Sequence, residues 1–259
     1  MKKSELPSLA RTTLALVLAL ATVGLGSAQK YADAAALTAA IDARPEPATS
    51  QATLTMTITT ADGQTLTREM QTWSEGTAKR IIKFTAPADI KGSGFLTITA
   101  ADGSEEKLVY LPALDRVRRI AGGQQGDSFF GSDFTYEDIT GLDQADYTHE
   151  LLGVRDGPTY VVEAVPTPAS GSSYERLVIE VPEATLVPQR VEYYRAGELV
   201  KVLTVAGLAE VAGYTVATER RMESVRDGKA TTVTVITQSN LVLDEALPAD
   251  LFTERFLRR

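Results

Sequence analysis

The sequence predicts a mainly β fold, built as an antiparallel meander. Apolar and polar residues alternate through most of the chain after residue 50, as they do in strands that bury one face. Short turns, several of them containing Asp-Gly, join these segments. No connection between them is long enough for the crossover helix that parallel strands require.

Residues 1–28 have the three parts of a secretory signal peptide. These parts are the basic residues Lys2, Lys3 and Arg11, an apolar core at residues 14–25, and small residues at 26–28. The apolar core is shorter than the roughly 20 residues that cross a bilayer, which argues against a membrane anchor. We therefore expect cleavage before Gln29 and a single mature domain of residues 29–259.

The mature chain is acidic and contains no cysteine. Residues 1–28 hold three of the 26 basic and one of the 34 acidic residues, so 23 remain against 33, a net charge of −10. This charge repels nucleic acid and anionic membrane, and we expect no nucleic-acid partner. The lack of cysteine excludes a lipid-modified cysteine, disulfides and thiolate metal sites. We expect a soluble exported protein without a cofactor.

The predicted elements begin with a short helix at residues 31–43, where Leu37 and Ile41 are spaced i,i+4, and Pro45 and Pro47 follow it. Thirteen segments with strand-like character come next, and in the first of them Leu54, Met56 and Ile58 share one face. The segments are residues 51–60, 65–73, 77–85, 94–99, 106–111, 116–120, 147–152, 159–164, 174–181, 187–195, 199–205, 214–222 and 231–237. A terminal helical turn is expected within residues 248–256.

Residues 121–144 form the one irregular connection. It contains five glycines together with Phe129, Phe130, Phe134 and Tyr136, and a loop of this length is usually functional or disordered. Three phenylalanines argue against disorder. Two interpretations stay open: an aromatic plug that closes one end of the sheet, and a lid over an apolar cavity with glycine hinges.

Arg118 and Arg119 lie on the strand before this loop, and alternation places them on opposite faces. One guanidinium would therefore approach the covered side of the sheet, where it needs a hydrogen-bonded partner. We predict that it latches the loop through Asp133 or Asp138. The alternatives are an edge strand with both arginines in water and, least favoured, a metal site built from the loop acids, so we expect no metal.

Catalytic patterns are weak in this sequence. The single histidine, His149, lies within a predicted strand and has no recognisable Ser/Asp arrangement around it. Glu137 and Asp138 are adjacent, but a chain with 34 acidic residues has such pairs by chance. We expect no enzymatic activity and assign no catalytic residues.

A resemblance to a known family rests on residues 110–138. The segments YLPA at 110–113, VRRI at 117–120, DSFFGSDF at 127–134 and YED at 136–138 resemble the outer membrane lipoprotein-sorting protein family, which is LolA-like. The resemblance implies a strongly curved antiparallel sheet forming a half-open, incomplete barrel, with the N-terminal helix and the 121–144 loop as a lid on its open side.

The same resemblance implies a periplasmic carrier that sequesters lipoprotein acyl chains for transfer toward the outer membrane, between an inner-membrane transporter and an outer-membrane acceptor. A carrier of free lipid or glycolipid and a structural envelope protein that binds nothing are the alternatives. On either carrier hypothesis, the cavity would be lined by the inward side chains of the strands, with three phenylalanines at its mouth. The predicted lining is Leu54, Met56, Ile58, Met70, Ile82, Phe84, Val109, Leu111, Phe129, Phe130 and Phe134.

Overall fold

The structure is a computed structural model that describes residues 29–155 and 157–259. The predicted signal peptide, residues 1–28, lies outside the described residues. Within the described part, thirteen strands are present, one for each predicted segment. They are β1 Thr49–Thr59, β2 Thr65–Glu75, β3 Lys79–Ala86, β4 Gly94–Thr99, β5 Glu105–Leu111, β6 Arg116–Arg119, β7 Tyr147–Arg155, β8 Thr159–Pro166, β9 Arg176–Pro182, β10 Arg190–Arg195, β11 Glu198–Val211, β12 Tyr214–Arg226 and β13 Lys229–Leu243.

All thirteen strands belong to one antiparallel sheet, in the order β6-β5-β4-β3-β2-β1-β13-β12-β11-β10-β9-β8-β7. Consecutive strands pair with each other except β6 and β7. The first strand pairs with the last, with Met56 opposite Ile236, and β6 and β7 form the two unpaired edges. The sheet is therefore open, and the prediction of a mainly β, incompletely closed sheet is confirmed.

Side-chain alternation gives the sheet two apolar faces. On β3, Ile82 and Phe84 join the larger core cluster, whereas Ile81 between them joins a smaller cluster on the opposite face. The larger cluster also contains loop residues such as Phe129, so we call its side the inner face and the other side the outer face.

The chain's C-terminal segment covers part of the outer face. Leu251 and Leu257 are buried against Leu96 and Leu108, and α3, Glu254–Leu257, is the predicted terminal turn. Lys83 is drawn into this contact, since its Nζ donates to the Leu257 carbonyl at 2.5 Å. The C-terminal segment is thus fixed by both apolar packing and a hydrogen bond.

The N-terminal helix is shorter than predicted. It is α1, Ala34–Asp42, and begins after Asp33, whose side chain accepts from the Ala36 N–H at 2.8 Å. Leu37 is fully buried in the inner cluster. In residues 29–155 and 157–259, the helices are all too short to cross a membrane.

The order of the strands dictates the route of the irregular loop. The chain leaves β6 at one edge of the open sheet and enters β7 at the other. The intervening residues therefore cross the inner face. They include the helix α2, Tyr136–Thr140. This crossing segment, residues 121–146, is the part of the molecule that closes over the interior, and we call it the crossing loop.

Candidate functional site

The crossing loop turns sharply at its aromatic tip. The Phe129 N–H donates to the Phe134 carbonyl at 2.7 Å, and Ser128 and Thr135 form an isolated antiparallel β-bridge. The residues between them therefore form a tight turn. Phe130 and Gly131 adopt left-handed φ values of 50° and 76°. Glycine takes this conformation without the steric cost that a Cβ brings, which explains its place beside a strained phenylalanine.

The tip fills the interior beneath it with aromatic rings. Phe129 is fully buried, and its ring centroid lies 5.7 Å from that of Phe95 and 5.6 Å from that of Tyr136. Phe130 packs 4.6 Å from Phe84. These spacings are typical of favourable aromatic pairs. At this end of the sheet the loop acts as a plug.

Asp133 anchors the tip to the middle of the sheet. Its carboxylate accepts from Ser224 at 2.5 Å, from Thr234 at 2.7 Å and from Thr232, while its N–H donates to the Thr234 hydroxyl at 2.9 Å. The residue is buried, and these hydroxyls on β12 and β13 replace the water that the carboxylate loses.

Glu137 and Asp138, adjacent on α2, anchor the second half of the loop. Glu137 accepts from the N–H and hydroxyl of Ser173 at 3.0 and 2.9 Å. Asp138 accepts from the Tyr174 hydroxyl at 2.9 Å and forms an ion pair with Lys201 at 3.0 Å. Burial, and then the nearby Asp138 charge, raise the pKa of Tyr174 strongly, so the phenol stays a donor at neutral pH.

Two arginines on the other half of the sheet hold the loop by its backbone. Arg68 on β2 donates to the Phe130 carbonyl, and Arg80 on β3 donates to the Ile139 carbonyl at 2.8 Å. The loop is therefore fastened to strands on both sides of the β1–β13 pair. This geometry fits a cover that is closed and held in place.

The prediction that Arg118 or Arg119 latches the crossing loop through Asp133 or Asp138 is wrong about the partners of these two carboxylates. Both arginines are exposed, because β6 is an edge strand. Arg119 pairs with Glu106 on β5. Arg118 lies near Tyr136, where its charge opposes the rise in the tyrosine's pKa that burial causes. Asp133 and Asp138 do hold the loop, but their partners are the β-strand hydroxyls and Lys201 described above.

A cavity of about 500 Å³ opens beside α2. One wall is apolar and comes from β10 to β13, with Val191, Leu203, Met222 and Leu241 among its residues. The lining also includes the charged side chains Arg80, Arg220, Glu137 and Asp138 and the segment at residues 44–47. The volume lies within the ~300–1,000 Å³ range of ordinary ligand sites.

The predicted lining residues lie mostly elsewhere. Phe134 lines the cavity, as does the predicted latch residue Asp138. The other ten predicted lining residues belong to, or pack against, the inner core cluster, where the aromatic tip occupies the space. They are Leu54, Met56, Ile58, Met70, Ile82, Phe84, Val109, Leu111, Phe129 and Phe130. The predicted inner face is thus largely core, and the open space lies toward β10–β13.

Sequence reasoning missed the arginines that line the cavity, which include two on strands, Arg80 and Arg220. A signal for them exists in the alternation. Arg80 shares a strand face with Ile82 and Phe84, and Arg220 shares one with Met222, and all three apolar residues belong to the inner cluster. A cation within an apolar strand face is unusual enough to mark a position of interest.

Comparisons with known proteins agree with this architecture. A family model described as "Uncharacterized protein" matches residues 76–259. A DUF1329 family protein from Desulfovibrio piger is 30% identical, with a TM-score of 0.78, over 85% of this chain and 96% of that one. A search of curated proteins finds no match.

Two further solved structures extend the likeness. A protein from Vibrio parahaemolyticus, named as an outer membrane lipoprotein-sorting protein domain, is 29% identical with a TM-score of 0.78, over 86% of this chain and 97% of that one. A LolA superfamily protein from Nitrosomonas europaea is 22% identical with a TM-score of 0.68, over 85% and 96%, and shows the fold alone. The chain therefore belongs to the DUF1329 family and has the LolA-like fold.

Proposed function

We propose that this protein is a periplasmic carrier that takes acyl chains of lipoproteins into the cavity beside α2 and releases them toward the outer membrane. The observation that carries the proposal is a cavity of about 500 Å³ with an apolar wall, beneath a crossing loop on a LolA-like sheet. An acyl chain that moves from water into such a wall gains roughly 0.8 kcal/mol per buried CH₂.

The proposed carrier function also includes the processing of the chain and its location. Residues 1–28 act as a cleaved signal peptide, and residues 29–259 form one LolA-like half-barrel domain. An inner-membrane transporter would load the carrier and an outer-membrane acceptor would unload it. A carrier needs no covalent chemistry, so the protein would act by binding and release rather than as an enzyme.

Release of the acyl chains requires that the crossing loop can open. The crossing loop is held by a few polar contacts, among them Asp133 with β12 and β13, and Asp138 with Lys201. Polar anchors can exchange with water at modest net cost, whereas the aromatic tip keeps its core contacts. Opening near α2 would expose the cavity without unfolding the plug.

Native mass spectrometry of the protein after mild extraction from cells tests the proposal. A bound lipoprotein supports it, a bound small lipid supports the alternative carrier of free lipid or glycolipid, and no adduct supports a non-binding envelope protein.

A neutral fluorescent acyl probe gives an independent measurement of uptake. Leu203→Trp fills the cavity and should abolish uptake, whereas Leu66→Trp, at an exposed position on β2, should not. Equal uptake by both variants would contradict this cavity as the site.

A further inference from the structure

Arg220 places a positive charge in the cavity. It lies on β12 between Val205 of β11 and Ile236 of β13, and its side chain lines the cavity. Among the described residues, its guanidinium makes neither an ion pair nor a hydrogen bond. A desolvated guanidinium with five N–H donors is costly in this state.

Arg80 faces the same cavity and is only partly satisfied. One of its nitrogens donates to the Ile139 carbonyl, which leaves the rest of the guanidinium fork for other acceptors. The two arginines are close enough for the Arg80 charge to add to burial in lowering the pKa of Arg220. Glu46, which is exposed, opposes the effect of burial on the Arg80 pKa through its charge, without a direct bond.

The other acids of the cavity wall are already engaged. Glu137 accepts from Ser172 and Ser173, and Asp138 is paired with Lys201 and Tyr174. Neither carboxylate is therefore available to the two arginines. The cavity lining holds three arginines, Arg44, Arg80 and Arg220, and three carboxylates, of which Glu137 and Asp138 already have the partners named above.

We infer that the cavity binds an acyl amphiphile through an anionic headgroup, carboxylate or phosphate monoester, which lies between Arg80 and Arg220 while its chain lies along the apolar wall of β10–β13. This inference rests on the cavity of the proposed function and favours its alternative cargo, a free lipid, because the acylated end of a lipoprotein carries neither headgroup. The planar guanidinium fork matches the oxygens of both headgroups, and bonds between ions are the stronger class of hydrogen bond.

The position of the two groups favours a single amphiphile over a free anion. Leu203 and Leu241 line the same cavity as the arginines, so a bound headgroup would have apolar side chains within the same space. A small inorganic anion would satisfy the arginines and leave this apolar wall in water. An acyl chain covers the wall and an anionic headgroup neutralises the arginines.

Displacement of a neutral fluorescent acyl probe by matched ligands tests the inference. The ligands are hexadecanoate, hexadecanoate methyl ester, hexadecyl phosphate and inorganic phosphate. We expect the acid or the phosphate monoester to bind about tenfold or more tightly than the ester, and inorganic phosphate not to displace the probe. The preferred of the two anionic ligands identifies the headgroup.

Arg220→Met should abolish the preference for the anionic ligands over the ester, because it removes the charge and keeps an apolar stem. Arg221→Met is the matched control: Arg221 is the next residue on β12, is paired with Glu223 and is absent from the cavity lining. The melting temperature of Arg220→Met should stay equal or rise, since an unpaired, half-buried charge is lost.

Equal binding of both anionic ligands and the ester by the wild type, or an unchanged preference in Arg220→Met, would overturn the inference. Displacement by inorganic phosphate alone would also overturn it, because the arginines would then form a small-anion site. These results leave the proposed function intact when the neutral probe still binds. Failure of the probe itself to bind would instead count against the proposed function.

Discussion

Lys201 on β11 and Asp138 on α2 form an ion pair from which water is almost excluded. The Nζ and Oδ2 atoms are 3.0 Å apart, and the side chains are 13% and 2% exposed. Asp138 also accepts from the Thr135 N–H at 2.7 Å, at the start of α2. One carboxylate thus caps the helix and fastens it to the far half of the sheet.

Lys201→Met should destabilise the protein by about 3–5 kcal/mol, because it leaves the Asp138 carboxylate buried without its cation. Asp138→Asn should cost a similar amount, and the double variant less than the sum of the two. Urea unfolding measures the coupling energy. The exposed pair Arg119–Glu106 is the control, for which about 0–1 kcal/mol is expected. A coupling energy of the Lys201–Asp138 pair as small as that of the control pair would contradict the anchoring role of Lys201 and Asp138.

Asp133→Asn should loosen the aromatic tip of the crossing loop. The amide cannot accept from three hydroxyls as the carboxylate does, and an unsatisfied buried group costs about 1–3 kcal/mol. We expect faster proteolytic cleavage near Gly131 under native conditions. Asp127→Asn, at an exposed position in the same loop, should leave the cleavage rate unchanged. Equal protection of both variants would show that the tip is held by its rings alone.

Gly94→Ala should displace the C-terminal segment from the outer face. A Cβ at this position would lie 2.7 Å from the Leu257 Cδ1 and 2.9 Å from the Lys83 Cδ, closer than packed atoms tolerate. Overpacking of this kind costs about 1–3 kcal/mol. Adding Leu257→Ala should recover part of the loss, because it removes the nearer clash. Thermal unfolding of the single and double variants measures the effect, and an unaltered melting temperature in Gly94→Ala would rule out a tight contact.

The pKa of Lys83 predicts how its contribution to the stability of the folded protein changes with pH. Burial lowers the pKa of its amine to about 8, against 10.5 as its ordinary value. Between these values the unfolded chain binds more protons than the folded one, so the contribution of Lys83 to stability increases as the pH rises from 8 to 10.5.

The comparison with Lys83→Met isolates the contribution of Lys83 to the free energy of unfolding, because the other titrating groups are common to both proteins. The free energy of unfolding of the wild type, relative to the variant, should be constant below pH 7 and increase above pH 8. A difference that stays flat to pH 10 would place the folded-state pKa at its ordinary value.

Local patterns in the sequence predict the strands well, because alternation and Asp-Gly turns act over a few residues. The pairing of β1 with β13 lacks such a signal, since Ser50 and Leu243 meet only through the fold. The crossing of the loop over the inner face depends on that pairing. The sequence therefore indicates a cover rich in phenylalanine but not where it would lie.

The site shows the same division. Asp133 and Asp138 are predictable as anchors, because a loop with several acids on a covered sheet must satisfy them. Their partners are not, since Ser224, Thr234 and Lys201 lie far along the chain. The cavity lies toward β10–β13 because Phe129 and Phe130 fill the space beneath the tip, and only three-dimensional packing decides which space stays open.

The pairing of the first strand with the last sets an order of folding. Strands β1 to β6 can pair in succession as soon as each is available, but the free edge of β1 has no partner until β13 arrives. Contacts between residues so distant in sequence form slowly, because a long loop must close before they are rewarded. Each half of the sheet would therefore exist first as a separate ribbon, and the interior would become enclosed only when the two ribbons join along this seam.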